Sequence, residues 1–269
     1  MNKIGIIGCG NMGGAIAQAL CEKKGFQVML YDNDHEKLAF SAEKLGAKAA
    51  VSLQNLLEEN TLLLIAVKPQ VLPSLYAQLR SYGSASRMWI SIAAGVPLSV
   101  LATQLGTANV VRYMPNIAAQ VKQAVTAVAV HADAQSNLEN LAMEIATSFG
   151  SAFALPESQF AAFIGISGSA IAYAFQFFHA LAMGGVEEGI PYPIALSIAR
   201  DTCLSAAALQ KESNKNAVEL ATMVCSAGGT TIKGMKALAK GNFDATVMDA
   251  VSASAEKSRS LEQAAQRNG

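Results

Sequence analysis

Residues 3–16 read KIGIIGCGNMGGAI, an aliphatic run that stops on a glycine and restarts as an alanine-rich helical pattern. At the junction Gly8, Cys9, Gly10, Asn11, Met12 and Gly13 make the spacing GxGxxG. Alone, that spacing carries little. Here it follows a strand-like run, opens a helix-like run, and precedes an acid, Asp32, at the end of the next strand-like run about twenty residues on. Each part has a physical task. Gly8 permits a tight turn, Gly10 lets backbone approach a pyrophosphate, and the helix start offers free amides at the positive end of its dipole. The pattern predicts a dinucleotide-binding βα unit, with Asp32 and Asn33 beside the adenosine ribose.

The alternation continues outward. QVMLYD, TLLLIAV, RMWISIAA and ANVVRYM are short, aliphatic and bounded by turn residues, and several of the stretches between them have helical periodicity. That combination predicts a parallel α/β sheet. VTAVAVHA and SAFAL add two strands around a helix from about Asn137 to Phe149. After Leu155 the strand signal ends and alanine- and methionine-rich helical runs take over. The expected organisation is a Rossmann-like α/β domain over 1–155 followed by an all-α domain over 156–269. In an open parallel sheet, ligands lie beyond the carboxyl ends of the strands, which brings Ala66, Val67, Lys68 and Pro69, and also Ala93, Ala94 and Gly95, towards the cofactor. Lys68, ahead of a proline, reads more readily as a solvated or backbone-capping group than as a catalytic acid.

Composition bounds the partners. The 269 residues are 52% hydrophobic and 15% charged, with 20 basic against 20 acidic side chains, enough apolar content for a substantial core and no basic cluster to meet nucleic acid or an anionic membrane surface. Cys9, Cys21, Cys203 and Cys225 lack CxxC spacing, and the N-terminal run meets a glycine loop instead of a signal-peptide cleavage pattern, so a cytoplasmic protein is expected. From Phe160 to Val186 there is no charged residue. Glycines, serines, Gln176 and His179 interrupt this stretch, which predicts a turn and a helix buried in protein, not a membrane span. So apolar a helix wants neighbours on more than one side, hence a subunit interface.

No acid or base stands out. His35, His131 and His179 have no evident carboxylate or serine partner, no residues cluster at metal-ligand spacing, and Glu187 with Glu188 reads as a solvated face. A hydride acceptor that must ionise an alcohol needs a positioned base, whereas a protonated imine does not; the sequence leans towards C=N chemistry. Ser226–Gly234 reads SAGGTTIKG ahead of an apolar-periodic run. Gly228 and Gly229 clear space there, while the amides of Thr230 and Thr231 are suited to an α-carboxylate at a helix start. The competing reading is a plain helix cap.

KIGIIGCGNMGGAI, AVKPQ, ISIAAGV, VVRYMPN, ISGSAIAYAF and CSAGGTTIKG together resemble the pyrroline-5-carboxylate reductase family, from Met1 to Leu261. GGTTI is the most specific of these. The resemblance implies reduction of 1-pyrroline-5-carboxylate to L-proline with NADPH or NADH, by a Rossmann domain followed by an all-helical domain that dimerises by intertwining; some members assemble into pentamers of dimers. It also implies a substrate site at Gly228, Gly229, Thr230 and Thr231, with the Thr231 hydroxyl facing the ring nitrogen, and places Asn116 of the MPN run with the cofactor residues. Where the family usually reads MPNTP, SGSGPAY and SPGGTT, this chain has Ala118, Ala170 with Ile171, and Ala227, and Leu53 stands where an asparagine is usual. These departures keep a related cyclic imine open as substrate, and a nucleotide-binding paralogue without catalysis is the remaining alternative. A β-hydroxyacid dehydrogenase is disfavoured because no lysine occurs between Lys122 and Lys211. The run Tyr31 to Lys37 places Asp32 and Asp34 where NADPH users commonly present Ser, Thr or Arg, with His35 and Lys37 the only cations nearby. NADH is therefore the expected preference.

Overall fold

The computed structural model describes residues 2–268, with side chains described to 264. By internal contacts the chain forms two compact units, one of Met1–Gly168 with Ser254–Gly269 and one of Ser169–Ala253. The division lies beyond Pro156, where the sequence placed it; the last strand ends at Ala154, one residue before the strand signal stops in the sequence.

The first unit is built on strands β1 (Asn2–Ile7), β2 (Phe26–Tyr31), β3 (Lys48–Ala49), β4 (Leu62–Ile65), β5 (Met88–Ser91), β6 (Val110–Pro115), β7 (Ala124–Val130) and β8 (Gly150–Ala154). They form a single eight-stranded sheet in the order β3-β2-β1-β4-β5-β6-β7-β8. Between them run helices α1 (Asn11–Glu22), α2 (His35–Leu45), α3 (Leu53–Glu59), α4 (Leu72–Ser81), α5 (Leu98–Leu105) and α6 (Leu138–Ala146). Continuous aliphatic runs suit strands covered on both faces. Ile4, Ile6, Val28, Leu30, Leu62 and Leu64 pack on one face with Ile16 and Leu20 of α1, while Ile7, Met29, Leu63, Ile65 and Trp89 pack on the other with Leu56 of α3 and Leu79 of α4. The alternate residues of each strand thus feed two cores.

Two features depart from a uniformly parallel sheet read off the strand pattern. The pairing of β6 with β7 is antiparallel, and β8 then runs parallel to β7. Only a short 3-10 turn, Ile117–Val121, joins β6 to β7, whereas a parallel crossover needs about a dozen residues or more. β3 is a two-residue edge strand with no recognisable sequence signal.

Beyond β8 come α7 (Phe160–Phe163) and a π-helical turn, Ile164–Gly168. The second unit contains α8 (Ala170–Glu187), α9 (Tyr192–Glu212), α10 (Ala217–Val224) and α11 (Thr230–Lys240), and α12 (Phe243–Asn268) begins there. α8 and α9 form a hairpin. His179 Nδ1 lies 3.0 Å from the Tyr192 hydroxyl, and a side chain at Gly185 would come within 3.1 Å of Ala195 Cβ. The Tyr173 hydroxyl donates to the Ala250 carbonyl at 3.1 Å. The expectation that α8 is buried does not hold within one chain: of its residues only Ala182 is buried, and Phe175 is 64% exposed. Ile194, Ile198 and Leu204 of α9 are exposed too. So much apolar surface on two helices leaves the second unit without a core large enough to cover them.

Candidate active site

The glycine loop joins β1 to α1 by strict steric demands. Gly8 has φ +106°, and a Cβ there would lie 2.7 Å from the Ala66 carbonyl oxygen. At Gly13 a Cβ would lie 2.0 Å from the Gly8 carbonyl oxygen, so only glycine lets α1 pack against the loop. At Gly10 the situation reverses, since a Cβ would meet nothing within 4 Å. Gly10 is the N-cap of α1 and supplies no side-chain cap, so the first amides of the helix face open space. Bare amides, a positive dipole end and room beside them fit a dinucleotide pyrophosphate.

That space opens into a cleft of about 330 Å3. It gathers Gly8, Gly10, Asp32, Asn33, Ala66, Val67 and Lys68 from the carboxyl ends of β1, β2 and β4, with Tyr31, Lys37 and Gln78 among its other walls. Asn33 is oriented by the Tyr31 hydroxyl, which donates to its Oδ1 at 2.9 Å. Lys68 is exposed, and its carbonyl accepts from Val71 N–H at 2.9 Å, opening a short turn that contains Pro69.

Asp32 is tightly engaged. Its Oδ2 accepts from the Cys9 amide at 2.7 Å and from Lys37 Nζ at 2.7 Å, and its Oδ1 accepts from the Asp34 amide at 3.1 Å. Desolvation pushes this carboxyl up, but the hydrogen bonds from Lys37, Cys9 and Asp34 outweigh it and hold it below its ordinary value. The Cys9 side chain turns the other way, into the core, and burial, then the nearby Asp32 charge, pushes its thiol up to about 11.

Other expected cofactor residues lie outside the walls of this cleft. Asn11, Met12 and Gly13 belong to the start of α1. Ala93 is buried just beyond β5, with its amide 3.2 Å from Ser91 Oγ, while Ala94 is exposed. Asn116 is 5% exposed and works as a staple: Oδ1 accepts from Ala118 N–H at 3.2 Å and Val125 N–H at 3.3 Å, and Nδ2 donates to Ser167 Oγ at 3.2 Å. A proline at 118 would lack the first of these donors. Ala170 and Ile171 open α8, a position that a Gly-Pro pair also suits.

In the second unit, Gly228 has φ +71° with open space at its Cβ position, and a Cβ at Gly229 would lie 2.3 Å from Ser226 Oγ. Gly229 is the N-cap of α11 and no side chain caps that helix start. Thr230 and Thr231 are its first two residues, Thr231 partly buried. A plain threonine cap is thus not what the turn contains.

Sequence reading missed one buried centre. Arg112, fully buried in β6, pairs through Nη1 with Glu157 at 2.8 Å and through Nη2 with Glu262 of α12 at 2.5 Å, beneath the Phe160 ring at 4.9 Å. The same Glu157 oxygen accepts the Leu98 amide at 2.8 Å and so caps α5. Leu261, beside Glu262, lies against Gly95 of the β5–α5 loop. An arginine inside an aliphatic strand was the only available signal. Among the described residues no group of acidic, His or Cys side chains is arranged to hold a metal.

Known proteins share the sequence and the fold over nearly the whole chain. A family profile described as pyrroline-5-carboxylate reductase dimerisation matches residues 157–261, and one described as NADP oxidoreductase, coenzyme F420-dependent, matches residues 3–95. A pyrroline-5-carboxylate reductase of Methanosarcina acetivorans is 38% identical over 265 residues, covering 96% of this chain and 97% of that protein. The crystal structure of 1-pyrroline-5-carboxylate reductase from Streptococcus pyogenes superposes with a TM-score of 0.84 at 34% identity, covering 96% of this chain and 98% of that one. The Plasmodium falciparum pyrroline carboxylate reductase, solved with NADP bound, gives a TM-score of 0.84 at 25% identity over 97% of this chain and 98% of that one.

Proposed function

The chain belongs to the pyrroline-5-carboxylate reductase family and reduces 1-pyrroline-5-carboxylate to L-proline, the last step of proline biosynthesis, and we propose that the start of α11 holds the substrate for that reduction. The carrying observation is a helix start capped by Gly229 with no side-chain cap, beside open space at Gly228. The amides of Thr230 and Thr231 bind the α-carboxylate, the geometry in which a helix N-terminus favours an anion. The Thr231 hydroxyl bonds the ring nitrogen. A reduced nicotinamide dinucleotide, when bound, supplies hydride to the carbon of the C=N bond. Because the nitrogen already carries its proton, no side-chain base has to act first, consistent with the few titratable groups at either site.

Thr231→Val keeps the shape and removes one hydrogen bond to a nitrogen whose charge changes during the reaction. It should remove on the order of 2 kcal/mol of transition-state stabilisation, with kcat falling more than dinucleotide affinity. Steady-state kinetics decide: efficiency within about a factor of two of the parent enzyme would leave the turn a mere helix start. Parallel assays with the six-membered cyclic imine measure how far Ala118, Ala170, Ile171 and Ala227 have altered substrate choice.

For the donor we favour NADH over NADPH. Asp32 and Asp34 follow β2, where a dinucleotide-binding fold meets the adenosine ribose, and Lys37 offsets part of the Asp32 charge, so the preference should be below about tenfold. We also propose a homodimer as the unit of assembly, acting in the cytoplasm. The stretch Glu157–Glu187 is long and apolar enough to cross a membrane. Its π-helical interruption at Ile164–Gly168, and the dimerisation profile that covers it, support burial against a second chain instead of lipid.

A further inference from the structure

The charged side chains that line the dinucleotide cleft are Asp32, Lys37 and Lys68. Asp32 is already engaged, since both its oxygens accept from the chain itself. One of them holds Lys37. The Lys37 side chain is 40% exposed against 13% for Asp32, so the lysine is the more accessible member of a pair that lines the cleft. The pair is also tied to the glycine loop, since the oxygen that meets Lys37 is the one that accepts the Cys9 amide. Nearby, the Asp34 carboxylate is engaged as the cap of α2, accepting the Lys37 amide at 3.0 Å.

We propose that Lys37 is a latent ligand for a 2′-phosphate, held back by Asp32, and that this ion pair sets which dinucleotide the cleft prefers. The proposal rests on the dinucleotide reading of the cleft. A free ribose hydroxyl can approach Asp32 with the pair intact. A 2′-phosphate competes with Asp32 for the same ammonium, and whichever anion loses is left facing the other. Discrimination therefore comes from where the cation is held and not from like-charge repulsion alone.

The two mechanisms separate in a binding experiment on the full-length protein. Adenosine 2′,5′-bisphosphate and AMP differ only in the 2′-phosphate, and calorimetric titration of each needs no pyrroline chemistry. Asp32→Asn releases Lys37 while keeping an oxygen to accept the Cys9 amide, and should tighten the bisphosphate by about tenfold relative to AMP. Adding Lys37→Met should abolish that gain. Lys37→Met alone, at a partly exposed site, should weaken the bisphosphate by about fivefold and spare AMP. A gain that survives in the double variant overturns the proposal in favour of simple repulsion or of Lys68. So does an unchanged ratio of bisphosphate to AMP affinity in an Asp32→Asn protein that keeps the parent's melting temperature. If Asp32→Asn fails to fold, unchanged bisphosphate affinity in Lys37→Met overturns it instead. Failure of the parent protein to bind either nucleotide would overturn the underlying dinucleotide reading itself.

Discussion

The three glycines of the loop look alike in sequence and differ in what surrounds them. Gly10→Ala places its methyl in open space at a backbone φ of −70° that alanine adopts freely, so the protein should keep its melting temperature yet bind NADH at least about tenfold more weakly. Gly13→Ala drives a methyl into the Gly8 carbonyl, so it should lower both melting temperature and affinity. Differential scanning fluorimetry beside nucleotide titration distinguishes them; equal melting losses in the two variants would contradict the assignment of open space to Gly10. Asp32 adds a pH dependence. Its carboxyl is held below the ordinary value in the folded protein, so its contribution is present above the ordinary carboxylate range and is lost as pH falls through the lowered folded value.

At the scale of elements, Arg112 is the joint. It connects β6, the turn that carries Glu157, and the last turns of α12, and through Glu157 it secures the start of α5. Removing a buried cation from between two carboxylates leaves both uncompensated, whereas removing cation and anion together does not. Arg112→Met should therefore destabilise by about 3 kcal/mol, and adding Glu262→Gln should restore part of the loss. Urea unfolding at fixed protein concentration measures both; a double variant as unstable as the single one would show that Glu262 takes no energetic part. The β6–β7 reversal is an effect of the same scale, set by the shortness of its connecting turn. No alternation of aliphatic residues reports strand direction, so that feature was not legible.

For the whole molecule, the decisive fact is apolar surface that one chain does not cover. Phe175, Ile194, Ile198, Leu204 and Met248 are all more than half exposed. An obligate dimer through the helical unit is expected, with a melting temperature that rises with protein concentration. Light scattering should find no stable active monomer at nanomolar concentration, and Phe175→Asp should dissociate or unfold the protein; an active monomer would refute this. The sequence by itself determined what depends on neighbours along the chain: the glycine loop, the aliphatic strands, the handover from strand to helix after Leu155, and the GGTT turn. These are legible because steric demand and hydrophobic period act over a few residues. Only the tertiary structure decided that Asp32 is bonded to Lys37 and the loop amide, that Asn116 is engaged as a staple, and that Arg112 meets partners 45 and 150 residues away. It also showed that one chain alone leaves most of α8 uncovered. Ion pairs and burial are set by what the fold brings near, and a charge or an apolar face in a sequence carries no record of its partner.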